Sequence, residues 1–93
     1  MLTKRSEHDG WTEITIWNDG DQPSYQSYRI MCHDFGYDQQ AHARTLPTAR
    51  ISLMCSTSAT VEEARRLAAE YTYVADVAEA LQAEKRAAYE QGA

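Results

Sequence analysis

Cationic side chains are scarce in this sequence, in which nine Lys and Arg stand against fourteen Asp and Glu for a formal net charge of -5. That balance argues against generic binding to a phosphate backbone, whose usual electrostatic footprint is a basic patch. Long apolar runs are missing as well. No window approaches the roughly eighteen apolar residues of a membrane span, and the opening MLTKRSEHDG lacks the apolar stretch of a secretory leader. A cytoplasmic location without membrane contact is therefore expected. Cysteine is limited to Cys32 and Cys55, each inside an apolar alternating run. With no CxxC or HxxxH spacing, two reduced core thiols are the default in place of a disulfide framework or a metal centre. Glycine-rich cradles are absent too: no GxGxxG, GxxxxGKS/T or GxSxG occurs, which removes the common nucleotide and hydrolase readings.

What is present fits one domain over residues 1–93, because a chain of this length supports one hydrophobic core and not two. Met1 to Gly10 is polar and aperiodic, and reads as a flexible lead-in. A sheet region then runs over residues 11–56. Trp11 to Trp17 alternates with period two, placing Ile14 and Ile16 on one face and Trp11, Glu13, Thr15 and Trp17 on the other. Asn18 to Ser24 concentrates the residue types that turns need. A second strand from Tyr25 to about Phe35 sets Tyr28, Ile30 and Cys32 against Arg29, Met31 and His33, and Gly36 marks a turn or bulge. Tyr37 to Pro47 reads either as a third strand paired to the second or as an irregular loop. Arg50 to Ser56 returns to a strand pattern, with Ile51, Leu53 and Cys55 on one face.

The helix has a recognisable start. Thr60 followed three residues later by Glu63 is a capping box, and Glu62 and Glu63 face the positive end of the helix dipole. Leu67, Tyr71, Val74, Ala78, Leu81 and Ala88 continue an apolar stripe, no Gly or Pro interrupts the chain between Ala59 and Gln91, and Gly92 sits where a helix end expects one. One helix over 60–91 is expected, with a possible kink only at Tyr71 to Val74. The fold class is thus α+β, a small antiparallel sheet of three to four strands against one long C-terminal helix. About thirty helical residues span roughly 45 Å, and strands of this length only about 25 Å. The helix should overhang the sheet, with the turns from Gln82 to Tyr89 free to dock on a second copy or on a partner.

Chemistry-bearing constellations are weak. Cys32, His33 and Asp34 are consecutive, but neighbouring strand residues point to opposite faces and cannot readily serve one site. A metal site drawing on Cys32, Cys55, His42 and His8 has no local pair of ligands. Asn18, Asp19, Gly20 and Asp21 resemble half of a calcium loop without its later ligands, and a plain turn explains them. No catalytic residue, metal or cofactor is assigned, and the chain reads as a non-enzyme.

Charge and aromatics carry more. From Glu7 to Asp38 there are seven acids and one base, Arg29, while Gln39 to Ser58 holds Arg44 and Arg50 and no acid. Six Tyr and two Trp exceed what one small core needs, and such residues anchor interfaces. Trp11, Trp17, Tyr25, Tyr37, Tyr73 and Tyr89 are the candidates. A short acidic chain with a few-stranded sheet, one amphipathic C-terminal helix and surplus aromatics looks like the small phage-encoded inhibitors of bacterial immunity, the anti-CRISPR proteins. The resemblance implies a protein partner that handles nucleic acid and whose access to DNA is blocked. The first expectation is accordingly a non-enzymatic inhibitor laying an acidic, aromatic surface on a basic nucleic-acid-binding complex, with no direct nucleic acid contact. Asp19, Asp21, Asp34 and Asp38 supply the charge, and Trp17, Tyr25 and Tyr37 the anchoring area. The second is a homodimeric structural or adaptor module assembled through the C-terminal helix.

Overall fold

A computed structural model describes residues 1–18, 28–52 and 60–92. The elements, in chain order, are β1 (Leu2–His8), β2 (Trp11–Trp17), β3 (Tyr28–His33), β4 (Gly36–Asp38), β5 (Ala43–Thr45), β6 (Arg50–Ser52) and α1 (Val61–Gly92). Four strands form an antiparallel sheet in the order β1-β2-β3-β6, and β4 and β5 form a separate two-stranded ribbon. The chain is an α+β protein.

The alternation read in the central strands decides which face meets the helix. Ile14 lies opposite Ile30, and Ile30 opposite Ile51, so these side chains share one face across three strands. Ile14, Ile16, Tyr28, Ile30 and Cys32 are buried there together with Val74, Ala78 and Leu81 from α1. Helix positions 74, 78 and 81 follow the four-then-three spacing that keeps one side of a helix on its partner. This core is small, and deleting buried atoms from it is expensive: Ile30→Ala corresponds to a loss of about 2–5 kcal/mol.

Two expectations are corrected by the sheet. Residues 1–10 are not a flexible lead-in, because Leu2–His8 forms β1 and pairs along its whole length with β2, from Leu2 opposite Trp17 to His8 opposite Trp11. The sheet therefore begins at residue 2 and not at residue 11. Asp9 and Gly10 make the tight link between the two strands, and Gly10 takes a φ of +83°, where a Cβ would be strained. Tyr37 to Pro47 is neither a third strand on the second nor an irregular loop. It contains the β4–β5 ribbon, with Tyr37 opposite Arg44. Gly36 is needed where that ribbon starts, since a Cβ there would run into the Thr45 side chain and come within 3.2 Å of the Leu46 carbonyl. The expected turn over 18–24 and the run from Leu53 to Ser56 lie outside the described residues, Asn18 excepted.

The helix is capped as its sequence predicts: the Glu63 amide donates to Thr60 Oγ1 at 3.1 Å. It continues through Tyr71 to Val74 as one α-helix of 32 residues. At 1.5 Å per residue it is about 48 Å long, and the longest extent of the protein is 46 Å. The overhang is real but lies at the other end from the one expected. Glu70 accepts hydrogen bonds from Tyr28 Oη (2.5 Å) and Asn18 Nδ2 (3.0 Å), and Tyr71 packs edge-on against Tyr28. Toward the C-terminus Gln82 Oε1 accepts from the Ala49 amide at 3.0 Å and Arg86 Nε donates to the Pro47 carbonyl at 2.8 Å. From Glu70 to Arg86 is about 24 Å of helix, the length of a seven-residue strand. Gln82, Lys85, Arg86 and Tyr89 are thus half-buried against the protein's own sheet and loops. Residues 61–66 are exposed, Val61 at 71%.

Candidate interaction surfaces

The uncovered end of the inner sheet face is closed by charge in place of apolar packing. Arg5 and Glu7 of β1 share the face that meets α1, and the Arg5 guanidinium donates to both carboxylate oxygens of Glu84 at 2.9 and 2.7 Å. Arg5 Nε also donates to Glu7 at 2.5 Å, and Glu7 accepts the Thr12 hydroxyl at 2.6 Å. The Thr12 hydroxyl and Arg5 hold the Glu7 carboxyl below the usual carboxylate range, and Arg5 does the same for Glu84. The two carboxylates in turn push the Arg5 guanidinium further up. Beside this cluster an open cleft of about 780 Å³ runs between the last turns of α1 and the β4–β5 ribbon, lined by Phe35, Arg44, Lys85 and Tyr89 among others. Its charges are largely satisfied from within: Lys85 Nζ lies 2.6 Å from Asp34, and the Arg44 guanidinium sits 4.2 Å over the Phe35 ring. A cleft so neutralised offers little to a charged ligand.

The residues expected to bind a partner are not brought together. Asp19, Asp21 and Tyr25 lie outside the described residues. Asp34 is paired to Lys85. Asp38 accepts from the Gln40 and Ala41 amides at 3.0 and 3.3 Å and shapes the turn of the ribbon. Tyr37 is 57% exposed on that ribbon. Trp17 lies at the far end of β2, opposite Leu2, six positions or about 20 Å along the strand from Trp11 and the exit of β3 toward Asp34. Cys32 and His33 fall on opposite faces as their alternation requires, Cys32 buried and His33 exposed. Burial pushes the Cys32 thiol up, away from the reactive thiolate. Among the described residues no three His, Cys, Asp or Glu side chains gather as a metal site, and no helix is long and apolar enough to cross a membrane.

The sheet face turned away from α1, of which the sequence picks out only Trp11 and Trp17 as anchors, has a composition of its own. Register places Lys4 beside Thr15, Ser6 beside Glu13 and Met31, and His8 beside Trp11 and His33. Arg29 and Arg50 come from β3 and β6. Three rings line up across three strands: His8 and Trp11 stack with centroids 4.0 Å apart and planes 14° from parallel, and Trp11 and His33 with centroids 6.0 Å apart. Arg29 Nε lies 2.7 Å from Glu13, which also lies 3.4 Å from His8 Nε2. Lys4 and Arg50 have no carboxylate partner among the described residues. Within the described strands this face thus carries three cations against one carboxylate.

Other described acids lie off these strand faces, Asp9 in the link after His8 and Asp34 just after His33. Glu62, Glu63, Asp76, Glu79 and Glu90 are exposed along the helix. Only this distribution over faces, which pairs residues far apart in sequence, separates a basic side from an acidic one.

Compared with known proteins, the chain matches no family model, no curated protein and no solved structure.

Proposed function

We propose that the protein is a non-enzymatic binding protein that holds a macromolecular partner on the outer face of its four-stranded sheet. The observation that carries this reading is the ring stack of His8, Trp11 and His33 beside Lys4, Arg29 and Arg50, on the face that α1 leaves open. A sheet covered on one side only is stable when the other side is polar enough to be solvated. Half-exposed indole and imidazole rings there are more apolar area than solvation asks for, and they are the anchors that interfaces favour.

The inhibitor suggested by the likeness to anti-CRISPR proteins is a second reading with the opposite electrostatics. The exposed acids of α1 support it, since they present a carboxylate row to a basic, nucleic-acid-handling complex. Affinity capture from a bacterial lysate separates the two readings. With Arg29→Glu and Arg50→Glu on the sheet, the partner should be lost, while Asp76→Lys and Glu79→Lys on the helix should leave capture unchanged. The reverse pattern overturns the sheet-face reading and favours the acidic inhibitor.

A further inference from the structure

We infer that the outer sheet face binds single-stranded nucleic acid, an inference that rests on that face being the contact surface. Two properties of the face select this occupant. The first is local charge: Lys4, Arg29 and Arg50 face Glu13 alone among the carboxylates of these strands, and Glu13 is engaged by Arg29 and His8. Exposed charges act over about one Debye length, roughly 8–10 Å, so acids on the solvent side of a helix behind the sheet weigh little here. The chain-wide charge of -5 is the wrong quantity for this surface.

The second property is the rings. His8, Trp11 and His33 belong to adjacent strands and stand in one row, with His8 and His33 as its exposed ends. A base stacks on such an end with its π-face, and its phosphates then lie among Arg29, Arg50 and Lys4. Base-on-ring stacking needs no sequence readout, because every base has a π-face. A duplex is excluded by the same geometry, since its bases are already stacked on each other and only its backbone could reach the rings. A second copy of the chain is disfavoured, because face-to-face pairing would set three cations against three cations. An acidic polypeptide satisfies the cations and leaves the rings unused.

Fluorescence anisotropy with a labelled oligothymidylate of about 15 nucleotides tests the inference, with poly-glutamate as a base-free polyanion and a duplex of equal length as competitors. Binding should weaken roughly sevenfold between about 50 and 200 mM salt, as expected for two neutralised phosphates on a single strand, since Glu13 already offsets Arg29. His33→Ala should weaken it at least about fivefold, and Arg50→Glu about tenfold. Both are exposed positions at which circular dichroism and melting temperature should stay those of the unaltered protein. Poly-glutamate or duplex competing as well as the oligonucleotide overturns the inference, as does the absence of any anisotropy change. If the oligonucleotide fails while Arg29→Glu and Arg50→Glu still abolish capture of a lysate partner, the contact face stands without this ligand. If capture is also unaffected, the face itself is refuted.

Discussion

Glu7 and Glu84 come from opposite ends of the chain and share one guanidinium, that of Arg5. Both carboxyls are held below their ordinary values, so each binds a proton less readily folded than unfolded. The stabilisation is therefore complete above the unfolded carboxylate range and is lost as pH falls through the folded value. Melting temperatures of the unaltered protein and of Glu84→Gln should differ at about pH 7, and the gap should close by about pH 3; a gap independent of pH would mean that Glu84 acts through packing alone. The same pairings explain why single residues were poorly legible as a site. Asp34 and Glu13 count as free negative charge in the sequence, yet Lys85 stands 51 residues from Asp34 and Arg29 stands on the next strand from Glu13. No local pattern announces either partner.

At the scale of elements, β1 is the clearest loss and β2 the clearest gain. WTEITIW declares itself by β-branched and aromatic alternation, whereas LTKRSEH has no apolar face because its inner positions are Thr3, Arg5 and Glu7. The readable signal was the Asp9-Gly10 dipeptide ahead of a strong strand, a hairpin mark that points back at whatever precedes it. Those inner charges also have a use. An edge strand seven residues long offers free backbone groups to any passing chain, and inward-pointing charge is one of the devices that discourages such pairing. Arg5→Val with Glu7→Val should turn the edge into a sticky one, and light scattering coupled to gel filtration should then report dimers or larger species. A protein that stays at its original mass would show the edge to be protected by something else.

Across the whole molecule, the α+β architecture, the capped single helix and the inner faces of β2, β3 and β6 followed from periodicity. Electrostatic character did not, because a run of chain mixes the acids and bases that the sheet sorts by alternate residues onto two faces. The direction of the helix overhang was likewise invisible. Lys85 and the neighbouring alanines look unsuited to a core, but Lys85, Arg86 and Gln82 dock by hydrogen bonds and ion pairs instead of by apolar burial. An overhang at the capped end has a kinetic consequence. Among the described residues the turns before Glu70 are exposed apart from half-buried Leu67, so they can open and reclose without disturbing the core, and their amides need far less than the global unfolding free energy to exchange with solvent. Deuterium should enter residues 64–69 well before residues 74–81, with a steep boundary near Glu70. A uniform rate along the helix would place support beneath those first turns, and the observed boundary would mark where the sheet begins to bear the helix.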